Sequence, residues 1–193
     1  MTRIIFVSEV SKLLNLNPYE KQYISKLCKR ERLKHTGAID VTLKPLVCES
    51  MPLKRNKLEL QQYRCSTTHG VKNEYKVIQH LRATFNIINI QKTYREHLNT
   101  RIPFVIFGRI DDMIKVNNAE FLLEVEVRNS KFPGIRSHEY AQVMLYLHQS
   151  KLSVAIVAEH CCGKMNLYIV RRDQAYVDQV LEHLTTLIND CEP

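Results

Sequence analysis

The sequence contains no Gly-rich phosphate loop, no Cys-x-x-Cys pair and no long apolar run, and each absence narrows its chemistry. Without a Gly-rich loop leading into a helix, nucleotide hydrolysis over a phosphate cradle is not expected. Six cysteines are present: Cys28, Cys48, Cys65, Cys161, Cys162 and Cys191. Their spacing fits no zinc pattern and gives no compact grouping for an iron–sulfur cluster. They read as reduced thiols packed as small hydrophobes. Cys161 and Cys162 stand beside His160, but adjacency in sequence is not the geometry of Cys/His catalysis, and packing at a strand end is the simpler reading. The opening Met-Thr-Arg-Ile-Ile-Phe-Val is too short an apolar run for a signal peptide. No stretch approaches the ~18 apolar residues of a membrane span. An intracellular protein with no membrane partner is expected. Internal repeats and low-complexity tracts are also absent.

What is present in excess is positive charge, +8 over 193 residues, and it is unevenly spread. Residues 1–80 hold 15 Lys and Arg against 7 Asp and Glu, whereas residues 81–193 hold 13 of each. A one-sided basic excess is the footprint of a polyanion binder, although a solvated basic face has the same composition.

Apolar periodicity divides the chain. Residues 4–17 read as a short helix capped by Ser8 and ended by Asn17-Pro18-Tyr19, and residues 18–33 as a second, basic helix. Residues 34–65 lack periodicity and carry Lys54-Arg55-Asn56-Lys57, with a short helix possible near 57–63. Thr67 or Thr68 can cap a helix running to about Ala83. Strands are expected over 85–95, 103–116 and 120–128, with Asn117-Asn118 as a turn. A helix over 137–149 capped by Ser137, strands over 152–158 and 165–171, and an amphipathic helix over 173–190 complete the order. This is an α/β pattern, a central mixed β-sheet flanked by helices on both faces. Residues 1–65 form a basic helical and loop N-terminal extension packed on a core of residues 66–193.

Charged residues interrupt three apolar segments of that core. Asp111 and Asp112 lie within Phe-Gly-Arg-Ile-Asp-Asp-Met, where a carboxylate is costly to bury unless paired or metal-bound. Asp112 can be explained as the start of a turn, and Asp111 cannot. Strand alternation over 122–129 puts Glu124, Glu126 and Arg128 on one face. Such a row suits either the solvated face of an antiparallel sheet or an active-site face. The helix over 137–149 then places Gln142 and Tyr146 together at i and i+4.

An Asp in one strand, Glu-x-basic in the next, and a helix with Gln-x-x-x-Tyr follow one another in this order. The succession resembles the PD-(D/E)XK nuclease superfamily, and within it the RecB-like and lambda-exonuclease (YqaJ)-like viral recombination nucleases. Gly108-Arg109-Ile110-Asp111, Glu126-Val127-Arg128 and Gln142-Val143-Met144-Leu145-Tyr146 carry the likeness. So do Thr68-His69-Gly70-Val71-Lys72-Asn73-Glu74 and the N-terminal segment over 6–21. The resemblance implies a restriction-endonuclease-like core and a Mg²⁺- or Mn²⁺-dependent deoxyribonuclease acting in recombination, repair or replication. Its metal would be held by Asp111, Glu126, the Val127 carbonyl, Glu74 and His69. Arg128, Gln142 and Tyr146 would complete the catalytic set. Arg109, Lys54, Arg55, Lys57 and Arg64 would meet DNA, and a recombination or replication protein is a further implied partner.

One departure stands out. The family's lysine is Arg128 here, which stays protonated and cannot pass a proton on. A second register takes Glu124 as the motif glutamate and puts Glu126 in the lysine position. The Glu126/Arg128 register is preferred because it keeps a basic residue. If Arg128 fills that place, Arg128→Lys preserves or raises activity. The alternatives are a degenerate nuclease fold that binds DNA or a protein without cleaving, and a structural α/β protein with a basic face.

Overall fold

The computed structural model of the chain describes residues 2–17, 23–36, 51–52, 70–83, 85–87 and 92–192. The expected loop run of Lys54, Arg55, Lys57 and Arg64, the helix near 57–63, the caps Thr67 and Thr68, and His69 lie outside the described residues.

The chain begins with a strand where a helix start was expected. In β1 (Arg3–Phe6), Ile5 is buried while Ile4 and Phe6 face outward. The helix α1 (Val7–Leu13) follows. Phe6, not Ser8, occupies its cap position, and the Glu9 carboxylate accepts the Phe6 N–H at 2.9 Å. A second helix, α2 (Tyr23–Glu31), precedes a short β2 (Lys34–His35) and β3 (Met51–Pro52). The β1 strand pairs in parallel with β6 (Phe104–Arg109), which pairs antiparallel with β5 (Thr93–Leu98). The N-terminal segment therefore shares a sheet with the expected core, and Ile5, Val7, Val10 and Leu27 join the main apolar cluster.

The six-stranded sheet has the order β3-β10-β9-β8-β7-β4. Its strands are β4 (Asn86–Ile87), β7 (Asp112–Val116), β8 (Ala119–Arg128), β9 (Val154–Cys161) and β10 (Lys164–Arg171), together with β3. Among the described residues its one parallel pair is β8 with β9, joined through α4 (Ser137–Ser150). One face packs on α3 (Gly70–Arg82), with Val77, Ile78 and Leu81 against Leu123, Val125 and Ile156. The other face packs on α4 and α5 (Gln174–Asn189), through residues such as Met144, Leu147, Val177 and Val180. A two-stranded pair of β2 with β11 (Cys191–Glu192) completes the mixed α/β fold. Arg136 rather than Ser137 caps α4, and Glu139 accepts its N–H at 2.9 Å.

Two expected strands divide. Within the stretch over 85–95 the described residues form β4 and the start of β5, which belong to different sheets. The run over 103–116 becomes β6 and β7, and Ile110-Asp111 forms the corner where the chain leaves one sheet for the other. Asn117 and Asn118 both take positive φ, 48° and 65°, as a two-residue hairpin turn requires. That turn fixes the β7/β8 register from Val116↔Ala119 to Asp112↔Leu123. Asp112 is thus no turn residue. It is a buried strand residue, 3.7 Å from Arg82 of α3.

Gly108 lets α4 approach β6. A Cβ there would lie 2.7 Å from Tyr146 Cε1, 2.7 Å from Gln149 Oε1 and 2.9 Å from Val7 Cγ2. The Gln149 tip can swing aside, but the tyrosine ring and Val7 are held in the core. Gly108→Ala should therefore cost about 1–3 kcal/mol in urea unfolding. A variant as stable as the parent would contradict this packing.

Candidate active site

The hairpin register decides which carboxylates meet. One step beyond the last ladder pair, Asp112↔Leu123, the next opposed residues are Asp111 and Glu124. Opposed residues share a face with Cβ atoms about 5 Å apart. The Asp111 carboxylate turns onto β8 and accepts the Val125 N–H at 3.0 Å, replacing the strand partner that ends at Asp112. Asp111 and Asp112 consequently project to opposite faces of the sheet.

Glu124 is 4% exposed, and its Oε1 has no hydrogen-bond partner. Burial, then the neighbouring charges of Asp111 and Glu126, push its carboxyl well above the usual range, against the opposing effect of a hydrogen bond with Gln142. Burial likewise raises Asp111, with contacts to Val125 and Arg109 opposing. Two buried carboxyls this close share a proton rather than ionise together. Tyr146 lies one helical turn beyond Gln142, with its hydroxyl against the Arg109 backbone and beside Glu124 and Asp111. Burial raises Tyr146 too, so it stays a neutral phenol.

Glu126 is the next residue along the same face and is partly open to solvent. Burial first, then Glu139, Asp111 and Glu74, push its carboxyl up to about 8, against the pull of Arg128. Glu74, half-buried on α3, is raised by burial and by Asp111. The structure thus places Asp111, Glu124, Glu126, Gln142 and Tyr146 together, with Glu74 at their margin. Val127 turns its side chain into the α3 cluster. The residue between the two active-face glutamates is Val125. Arg109 ends β6 on the exposed side, where its charge reaches Asp111.

Arg128 differs from expectation. It is 7% exposed, and every N–H of its guanidinium is engaged. Nε donates to Glu159 at 2.9 Å. Nη1 donates to Glu139 at 2.6 Å and Glu126 at 3.3 Å. Nη2 donates to Glu139 at 2.7 Å and the Gly134 carbonyl at 3.3 Å. Tyr168 supplies a further bond to Glu159 at 2.8 Å. Five donors spent on protein acceptors leave none to clamp a phosphate or orient a water, so Arg128 is a buried anchor joining β8, β9 and α4. Glu159 and Glu139 were not singled out from the sequence. Glu159 ends the apolar run of β9, and the cost of burying a lone carboxylate, applied to Asp111, would have flagged it as well.

Among the described residues no group of three or more His, Cys, Asp or Glu side chains is placed to hold a metal ion. The donors at the Asp111 corner nevertheless suit a hard divalent cation. They are all oxygens, they crowd one another electrostatically, and one buried oxygen, Glu124 Oε1, has no partner.

Removing Arg128 would leave Glu139 and Glu159 as uncompensated buried charges. Arg128→Ala should destabilise the protein by about 3–5 kcal/mol. Arg128→Lys should also lower stability, because an ammonium has three donors and no planar fork. Denaturant unfolding checks both. An Arg128→Lys protein with unchanged stability and raised activity would place this residue in the chemistry instead.

No family model matches the sequence, and no curated protein matches it. A crystal structure of SSO0001 is similar in fold, with a TM-score of 0.59 over 97% of this chain and 77% of that one, at 16% identity.

Proposed function

We propose that the protein is a Mg²⁺- or Mn²⁺-dependent nuclease that hydrolyses phosphodiester bonds in DNA, on a restriction-endonuclease-like core. The observation that carries this reading is the opposed pair Asp111 and Glu124, two buried carboxyls of which Glu124 keeps an oxygen without a hydrogen-bond partner. A divalent cation held by Asp111 and Glu124, with Glu74 in reach, would supply positive charge for the scissile phosphate and acidify a water. Gln142 fixes Glu124 from α4, and Tyr146 closes the far side as a neutral donor. Glu126 takes the place that a lysine holds in the family. Its carboxyl, raised to about 8, is matched to accept the proton of an attacking water near neutral pH. The water oxygen then bonds to phosphorus as the bond to the leaving sugar oxygen breaks, and that oxygen is protonated from solvent.

The basic excess supports a polyanionic substrate. No helix among the described residues is long and apolar enough to cross a membrane. An intracellular setting and a recombination or replication partner belong to the same proposal. So do DNA contacts from Lys54, Arg55, Lys57 and Arg64 and a contribution from His69. The saturated guanidinium of Arg128 favours a second reading, a nuclease fold that binds DNA without cutting it.

Cleavage of single-stranded, linear and circular DNA with Mg²⁺ or Mn²⁺ separates the two. Wild type should cut, and Asp111→Asn and Glu124→Gln should each abolish cutting while DNA binding persists. The rate should climb with pH, reach half its maximum near pH 8 and level off above it, as Glu126 loses its proton. The sign for stability is opposite. A carboxyl raised from 4.5 to about 8 by folding makes the metal-free protein less stable as pH rises through that window. An Asp111→Asn protein that cuts as fast as wild type would refute the site.

A further inference from the structure

The sheet formed by β1, β6 and β5 covers α1 and α4 with one face and leaves part of the other open. On the open side, cross-strand register aligns Phe6 with Phe107, Arg95 with Phe107, and Thr93 with Arg109. Phe6 is 45% exposed. Its ring meets Phe107 edge-on, with centroids 5.9 Å apart and planes at 89°. The Arg95 guanidinium stands 5.8 Å from the Phe107 centroid. Where this face ends, a cavity of about 420 Å³ opens, lined by Phe6, Ser8, Thr93, Phe107, Arg109 and Tyr146. Tyr146 is shared, since its hydroxyl side stands beside Glu124 and Asp111.

Aromatic rings interleaved with arginines on an open strand face are the chemistry that holds single-stranded nucleic acid. Rings stack on bases, and guanidiniums meet phosphates. The hydroxyls of Ser8 and Thr93 add polar partners for a base edge. A paired base keeps its faces inside the duplex and cannot use such a pocket without unstacking.

We infer that the Phe6–Phe107 face and the cavity beside Tyr146 accept an unpaired nucleotide of single-stranded DNA, with Arg109 on its phosphate, and so deliver the adjoining phosphodiester to the Asp111 corner. The inference rests on the nuclease reading and names its substrate class, a single strand or a frayed end rather than an intact duplex.

Binding without divalent metal tests the pocket apart from cleavage. Anisotropy of a labelled oligothymidine, and fluorescence of a DNA strand carrying 2-aminopurine, are measured in EDTA at one fixed salt. The single strand should bind more tightly than a blunt duplex of equal length, and 2-aminopurine should be quenched. Phe6→Ala should weaken single-strand binding by about tenfold and relieve the quenching. Arg109→Gln, at an exposed position, should also weaken it and guards against a folding defect in the first variant. Unchanged binding by both variants, equal affinity for the blunt duplex, or tighter binding of oligouridine would overturn the assignment. If Phe6-dependent binding holds and no cleavage is seen with metal, the pocket stands and the nuclease reading falls. If cleavage depends on Asp111 but not on Phe6, the reverse is true.

Discussion

Three charged residues in a row on one buried strand face set the terms for this structure. Taking each ion out of water costs several kcal/mol unless a partner repays it. At the far end of the row, Arg128 repays it fully, spreading five hydrogen bonds over Glu126, Glu139, Glu159 and Gly134. At the near end, Glu124 faces another acid, Asp111, and keeps a buried oxygen without a partner. Glu126 lies between these two regimes, pulled one way by Arg128 and the other by its acidic neighbours. The strand thus changes from saturated ion network to crowded, partly unpartnered carboxyls within five residues.

The surroundings follow from that contrast. Glu139 also accepts the Arg136 N–H at the start of α4, so the anchor fixes where the helix begins. A helix begun there brings Gln142 to Glu124 and Tyr146 to the Arg109 backbone. Gly108 lets the Tyr146 ring sit against β6. The corner at Ile110-Asp111 joins the two larger sheets, so the open aromatic and basic face ends beside the carboxylates. The open aromatic face and the carboxylate corner are consequences of one chain reversal.

Much of this was legible in the sequence, and the misses have physical reasons. Alternation placed Glu124, Glu126 and Arg128 on one face, and helical spacing brought Gln142 and Tyr146 together. The opposition of Asp111 and Glu124 was also written in the sequence. A two-residue Asn-Asn turn makes Val116 oppose Ala119, and counting outward makes Asp111 oppose Glu124. Residues 3–6 form a strand rather than a helix start, and because Arg3–Phe6 is an edge strand whose outward Ile4 and Phe6 are apolar, no polar alternation marks it. The saturation of Arg128 could not be read locally, because Glu159 comes from 31 residues away across a parallel pairing.

In the proposed site, the buried pair Asp111 and Glu124 holds a proton that a divalent cation would displace. Titrating Mn²⁺ into the protein by calorimetry near pH 7, in two buffers of different ionisation enthalpy, measures that displacement directly. Protons should be released on binding, and affinity should rise with pH, with both effects lost in Glu124→Gln. Binding that releases no proton, or that survives Glu124→Gln undiminished, would contradict the account.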